Sequence, residues 1–78
     1  AVKGMLQTWG TAAYSQFVAD FDAPIIVRLK AAGAVIIAKT TMPPLGLAFD
    51  TSGPTFGVTH NPYDPSRSAG GSTGGEGA

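Results

Sequence analysis

Asp22-Ala23-Pro24-Ile25-Ile26-Val27-Arg28-Leu29-Lys30-Ala31-Ala32-Gly33-Ala34-Val35-Ile36-Ile37-Ala38-Lys39 carries the signal that sets the fold class. Asp22 is suited to cap a helix, and Pro24 suits the first turn, where a missing N–H costs nothing. Ile25, Ile26, Leu29 and Ala32 share one helical face, with Arg28 and Lys30 off it. Gly33 is placed to end the helix as its C′ residue. Ala34 to Ala38 is an unbroken apolar run, the pattern of a strand buried on both faces. Helix, glycine, strand is half of a βαβ unit, so the expected class is α/β. Lys39 and Thr40 follow at the strand's carboxyl end, where ligands gather in such folds.

On the N-terminal side, residues 1–21 read as an irregular entry. Ala1-Val2-Lys3 fits the end of a strand, Gly4 and Gly10 break any long element, and Thr11 to Ser15 fits either a loop or a short helix. Lys3 reads locally as a solvated surface lysine, the usual fate of that residue. Lys39 is its rival for any role in chemistry. On the C-terminal side, Met42-Pro43-Pro44 forbids a regular helix, and Leu45 to Phe49 has room for one short turn. More than half of residues 50–78 are Gly, Pro, Ser or Thr. Phe56, Val58 and Tyr63 argue that this half is an ordered loop, because disordered linkers are poor in such residues. Tyr63-Asp64-Pro65-Ser66 reads as a turn leading into Arg67. His60, the single histidine, has no acid and nucleophile nearby in sequence and reads as a loop residue.

The loop ends in Ser68-Ala69-Gly70-Gly71-Ser72-Thr73-Gly74-Gly75-Glu76. Glycine permits positive φ and close approach of other groups to the backbone. A hydroxyl pair in that frame can be aimed at a substrate. The same composition also fits a flexible linker or an anion-cradling nest. The phosphate-loop pattern requires a Lys next to a Ser or Thr after the last Gly, and none is here.

Composition narrows the alternatives. The 78 residues make at most one small domain, and a domain of this size buries only about 60% of its unfolded surface. There is no cysteine, so neither disulfides nor thiolate metal sites can reinforce it. One histidine and five scattered carboxylates make a metal site a poor expectation, and no cofactor is expected. Net charge is zero, with no basic patch to suggest nucleic acid. The longest apolar run is far too short to span a membrane. With no signal-peptide pattern and no cysteine, the expected compartment is the cytoplasm.

Together these residues resemble the amidase signature family. Asp22 to Thr40 looks like the family's helix–strand unit, Phe56-Gly57-Val58-Thr59-His60-Asn61-Pro62-Tyr63-Asp64-Pro65 like its approach loop, and Gly70-Gly71-Ser72-Thr73-Gly74-Gly75 like its Gly/Ser-rich signature. Glu76-Gly77-Ala78 is similar to the branch containing fatty-acid amide hydrolase. The resemblance implies part of an α/β/α fold with a mixed central sheet, here one helix–strand unit plus long Gly/Ser/Pro-rich active-site loops. Residues 1–78 are then expected to be the N-terminal part of the catalytic core, truncated before the nucleophile and needing the remainder of the protein to complete the fold.

The family hydrolyses carboxamides with a serine nucleophile, a second serine preceded by a cis peptide bond, and a lysine. By position, the resemblance places the lysine at Lys3 and the cis-serine at Ser72, with Lys39 on a structural lysine. It places substrate-binding positions at Gly46, Leu47, Phe49, Gly71 and Thr73, and implies a small-molecule amide as substrate. Many members have Asp where this chain has Gly4, and Thr73 replaces a common second serine. The scheme is physically coherent. A serine hydroxyl needs a base, a neutral lysine supplies one, and a bridging serine relays the proton between them. Two other readings compete: an amidotransferase component that releases ammonia from glutamine within a partner complex, and a non-enzymatic anion- or nucleotide-binding module built on the Gly-rich loop.

Overall fold

A computed structural model describes all 78 residues. Its first unit is an irregular hairpin. The amide of Gly4 donates to the Ala19 carbonyl at 2.8 Å, that of Gln7 to Phe17 at 2.8 Å, and that of Ala19 to Met5 at 3.0 Å. An isolated antiparallel bridge joins Leu6 to Val18, and a 3-10 turn at Ala12–Tyr14 lies at the far end. Trp9, Tyr14 and Phe17 cluster there, with Trp9 and Tyr14 edge to face at a centroid distance of 5.0 Å. The sequence left Thr11 to Ser15 open between loop and short helix, and the 3-10 turn resolves it.

Helix α1 spans Pro24–Ala31, with Pro24 in its first turn as expected. Its end is a Schellman motif: the Gly33 amide donates to Lys30 and the Ala34 amide to Leu29, both at 3.0 Å, with Gly33 at φ +92°. Its beginning differs from expectation. The N-cap is Ala23, with no side-chain cap. Asp22 instead accepts from the Lys3 amide and from Lys30 Nζ, both at 2.7 Å, and those two partners hold it one residue short of the capping position.

The expected strand at 34–38 is not formed. These residues carry no regular structure, and Val35 and Ile37 are 82% and 90% exposed. A strand exists by pairing, and no segment of the 78 residues lies alongside to accept its ladder. The helical face expected to be apolar and buried is likewise uncovered, with Ile25 62% exposed. The sheet that does form is small and antiparallel. β1 (Ser52–Gly53) pairs with β2 (Gly57–Val58) through Ser52↔Val58 and Gly53↔Gly57. Helix and sheet are both present, as an α/β protein requires, but no mixed central sheet is assembled.

The remaining chain is loop held by specific bonds. A 3-10 turn at Pro44–Gly46 takes the place expected for a short turn. Beyond β2, the Thr59 amide donates to Thr51 and the Ala69 amide to Thr59, both at 2.8 Å. At the turn before Arg67, Asp64 Oδ1 accepts from the Ser66 hydroxyl and amide, and Oδ2 from Arg67 Nε at 3.0 Å. The short helix α2, Gly74–Gly77, follows the Gly/Ser-rich signature. No helix is long and apolar enough to cross a membrane.

Candidate active site

Ser72 lies in a left-handed turn. Gly70 and Gly71 have φ of +74° and +59°, values that a side chain opposes and glycine accepts. The turn is tied down at three points. The Gly71 amide donates to the Phe49 carbonyl at 2.8 Å. The buried Thr51 hydroxyl donates to the Gly71 carbonyl at 2.7 Å and accepts from the Gly74 amide at 2.9 Å. The approach of Thr51 is so close that a Cβ on Gly74 would meet its side chain.

These ties bring the Gly/Ser signature against the Pro44–Gly46 turn. Between them lies an open hollow of about 390 Å³ lined by Gly46, Leu47, Ala48, Phe49, Gly71 and Ser72. Four of the five expected substrate-binding residues therefore gather around Ser72, although 25 positions separate Gly46 from Gly71 in sequence. Thr73 stands outside the hollow; its carbonyl accepts from the amides of Glu76 and Gly77 at the start of α2. Phe49 is fully exposed, so the hollow has an apolar rim and no lid.

Lys3 is not among the residues that line this hollow. It is exposed, and its amide is fixed to Asp22. Every peptide bond is trans, including Gly71–Ser72, so the expected cis bond before Ser72 is absent. A non-proline cis bond costs about 3–4 kcal/mol and needs surroundings that enforce it. Gly71 and Ser72 are both exposed, held by hydrogen bonds and not by packed side chains.

Lys39 is placed quite differently from Lys3. Its Nζ donates to the Leu6 carbonyl and to Gln7 Oε1, each at 2.6 Å. Partial burial pushes its pKa below the ordinary lysine value. Thus Lys39 fastens the segment after α1 to the backbone three residues beyond Lys3. A hollow of about 420 Å³, lined by Leu6, Gln7, Trp9, Met42 and Phe56 among others, lies around this contact. Nearby, the Thr40 hydroxyl donates to Glu76, linking the Lys39 region to α2. The buried Gln7 and Thr51 were not singled out from sequence. Their partners lie 32 and 20 to 23 positions away, and no local pattern marks such contacts.

With this geometry in view, the relatives are informative. The family model described as Amidase matches residues 1–78. The chain is 43% identical over 77 residues to "Amidase 2" of Gibberella moniliformis, covering 99% of this chain and 15% of that protein. It is 42% identical over 78 residues to a glutamyl-tRNA(Gln) amidotransferase subunit of Methanococcoides burtonii, covering 100% and 16%. The protein of the same name from Salinispora tropica is 45% identical over 84 residues, covering 100% and 17%. The chain spans about one-sixth of the length of the curated relatives it matches.

Proposed function

Because this chain belongs to the amidase family, we propose that it supplies the lysine base and the relay serine of an amide C–N hydrolase. The observation that carries this reading is the hollow that joins Ser72 to Gly46, Leu47, Phe49 and Gly71. In the full-length protein, Lys3 holds the proton-accepting amine and Ser72 passes the proton between it and a serine outside residues 1–78. That second serine attacks the amide carbonyl. The proton it loses travels through Ser72 to Lys3 and is returned to the departing amine; water then cleaves the acyl–serine ester and releases the acid. A neutral amine is required, so the full-length protein must bury Lys3 more than these 78 residues do. The rest of the protein must also supply the strands that pair with 34–38 and complete a mixed sheet of α/β/α type. The apolar rim of Leu47 and Phe49 suits the acyl side of a carboxamide.

A second reading has equal support among the relatives: an amidotransferase component that takes ammonia from glutamine. It uses the same bond cleavage, with glutamine as the amide. The test is ammonia or amine release by the full-length protein from simple carboxamides, from long-chain acyl amides and from glutamine. Turnover of the acyl amides without glutamine marks an amidase, and glutamine alone marks the amidotransferase. No release from any of them, with a well-folded protein, would refute both.

A further inference from the structure

We propose that Thr51 is the positioning residue for Ser72; this rests on the relay role given to Ser72 above. Thr51 is 2% exposed and sits 21 positions before the serine. Its hydroxyl donates to the Gly71 carbonyl at 2.7 Å and accepts from the Gly74 amide at 2.9 Å. The two bonds straddle Ser72 and Thr73 and close the turn into a ring. A hydroxyl both donates and accepts, which this bridge requires; a methyl group does neither. Without it, the Gly71 carbonyl and the Gly74 amide lose their partner, and the buried amide carries the cost of an unsatisfied group.

Thr51 is itself held firmly. Its carbonyl accepts from the Thr59 amide at 2.8 Å, extending the β1–β2 ladder by one rung. The Gly71 amide meanwhile donates to Phe49, two residues before Thr51. One short segment thus grips the signature turn from both its backbone and its side chain. Gly74 completes the fit, because any side chain there would displace the Thr51 hydroxyl. Thr51 does not line the hollow, so it acts on the aim of Ser72 and not on the substrate.

The test uses the full-length protein and amide turnover in four forms: wild type, Thr51→Val, Thr51→Ser and Ser72→Ala. Thr51→Val is expected to lower kcat by about 10²-fold, the scale of a misplaced reacting group, with KM little changed. Thr51→Ser keeps the hydroxyl and is expected to restore most of kcat. Wild-type kcat in Thr51→Val, with Ser72→Ala inactive, overturns the inference and leaves the relay reading standing. Wild-type turnover in Ser72→Ala overturns the relay reading and the inference with it. Should Thr51→Val not fold, amide hydrogen exchange on the wild type decides. A protected Gly74 amide supports the bridge, and exchange at open-loop rates overturns it.

Discussion

Asp22 shows how a side chain suited to one task is taken by another. Its sequence position fits a helix cap, yet its two oxygens are claimed by Lys30 Nζ and the Lys3 amide. The Lys30 ammonium, and then the Lys3 amide, hold its carboxyl below the usual range. A lowered carboxylate pKa adds stability above the unfolded value of about 3.9, lost as pH falls through the folded one. In the full-length protein, the Tm difference between wild type and Asp22→Asn should therefore shrink below about pH 4; a constant difference would show that the charge is not the cause. The two lysines separate in the same way. Lys39→Met removes both bonds to Leu6 and Gln7 and is expected to cost about 1–3 kcal/mol by denaturant unfolding. Lys3→Ala is expected to abolish amide hydrolysis in a full-length protein that still folds. Full turnover in folded Lys3→Ala would remove it from the mechanism. Pro24, Gly33 and the Asp64 turn were legible in the sequence because their signals are local. Asp22, Gln7 and Thr51 were not, because what each side chain bonds is set by segments distant in the chain.

Among the elements, α1 is specified locally by Pro24 in its first turn and by Gly33 at its end, and the run after it is not. The Schellman closure at Gly33 needs only the helix and the two residues beyond it. A Cβ at Gly33 would meet no other atom, so the cost of Gly33→Ala is purely conformational. It is expected to be about 1–2 kcal/mol by denaturant unfolding of the full-length protein; no change would mean the helix end relaxes freely. The 34–38 run has the composition of a buried strand, but composition does not supply neighbours. Its unpaired, exposed state here follows from pairing being a property of two segments. The Gly/Ser signature lies between these cases. Its glycines announced an unusual turn, whereas the grip of Phe49 and Thr51 on that turn could be seen only in three dimensions.

For the molecule as a whole, eight of 78 residues are buried, and only Val2 and Ala19 form an apolar core. The radius of gyration is 13.5 Å, against about 11.5 Å for a compact domain of this length. So little buried apolar surface does not offset the ordering entropy of the Gly/Pro-rich half. Residues 1–78 alone are therefore expected to show no cooperative thermal transition, and a sharp transition with native near-ultraviolet circular dichroism would contradict this. The family to which the chain belongs was legible in three ordered motifs, while the mixed sheet and the cis bond expected from it are absent from these residues. The proposed division of labour between Ser72 and a serine elsewhere is tested most directly by labelling the full-length protein with a fluorophosphonate probe and mapping the modified peptide. The account predicts an adduct on a serine outside residues 1–78, with Ser72→Ala lowering kcat by about 10²–10⁴-fold. An adduct on Ser72 itself would make it the attacking group and contradict the account.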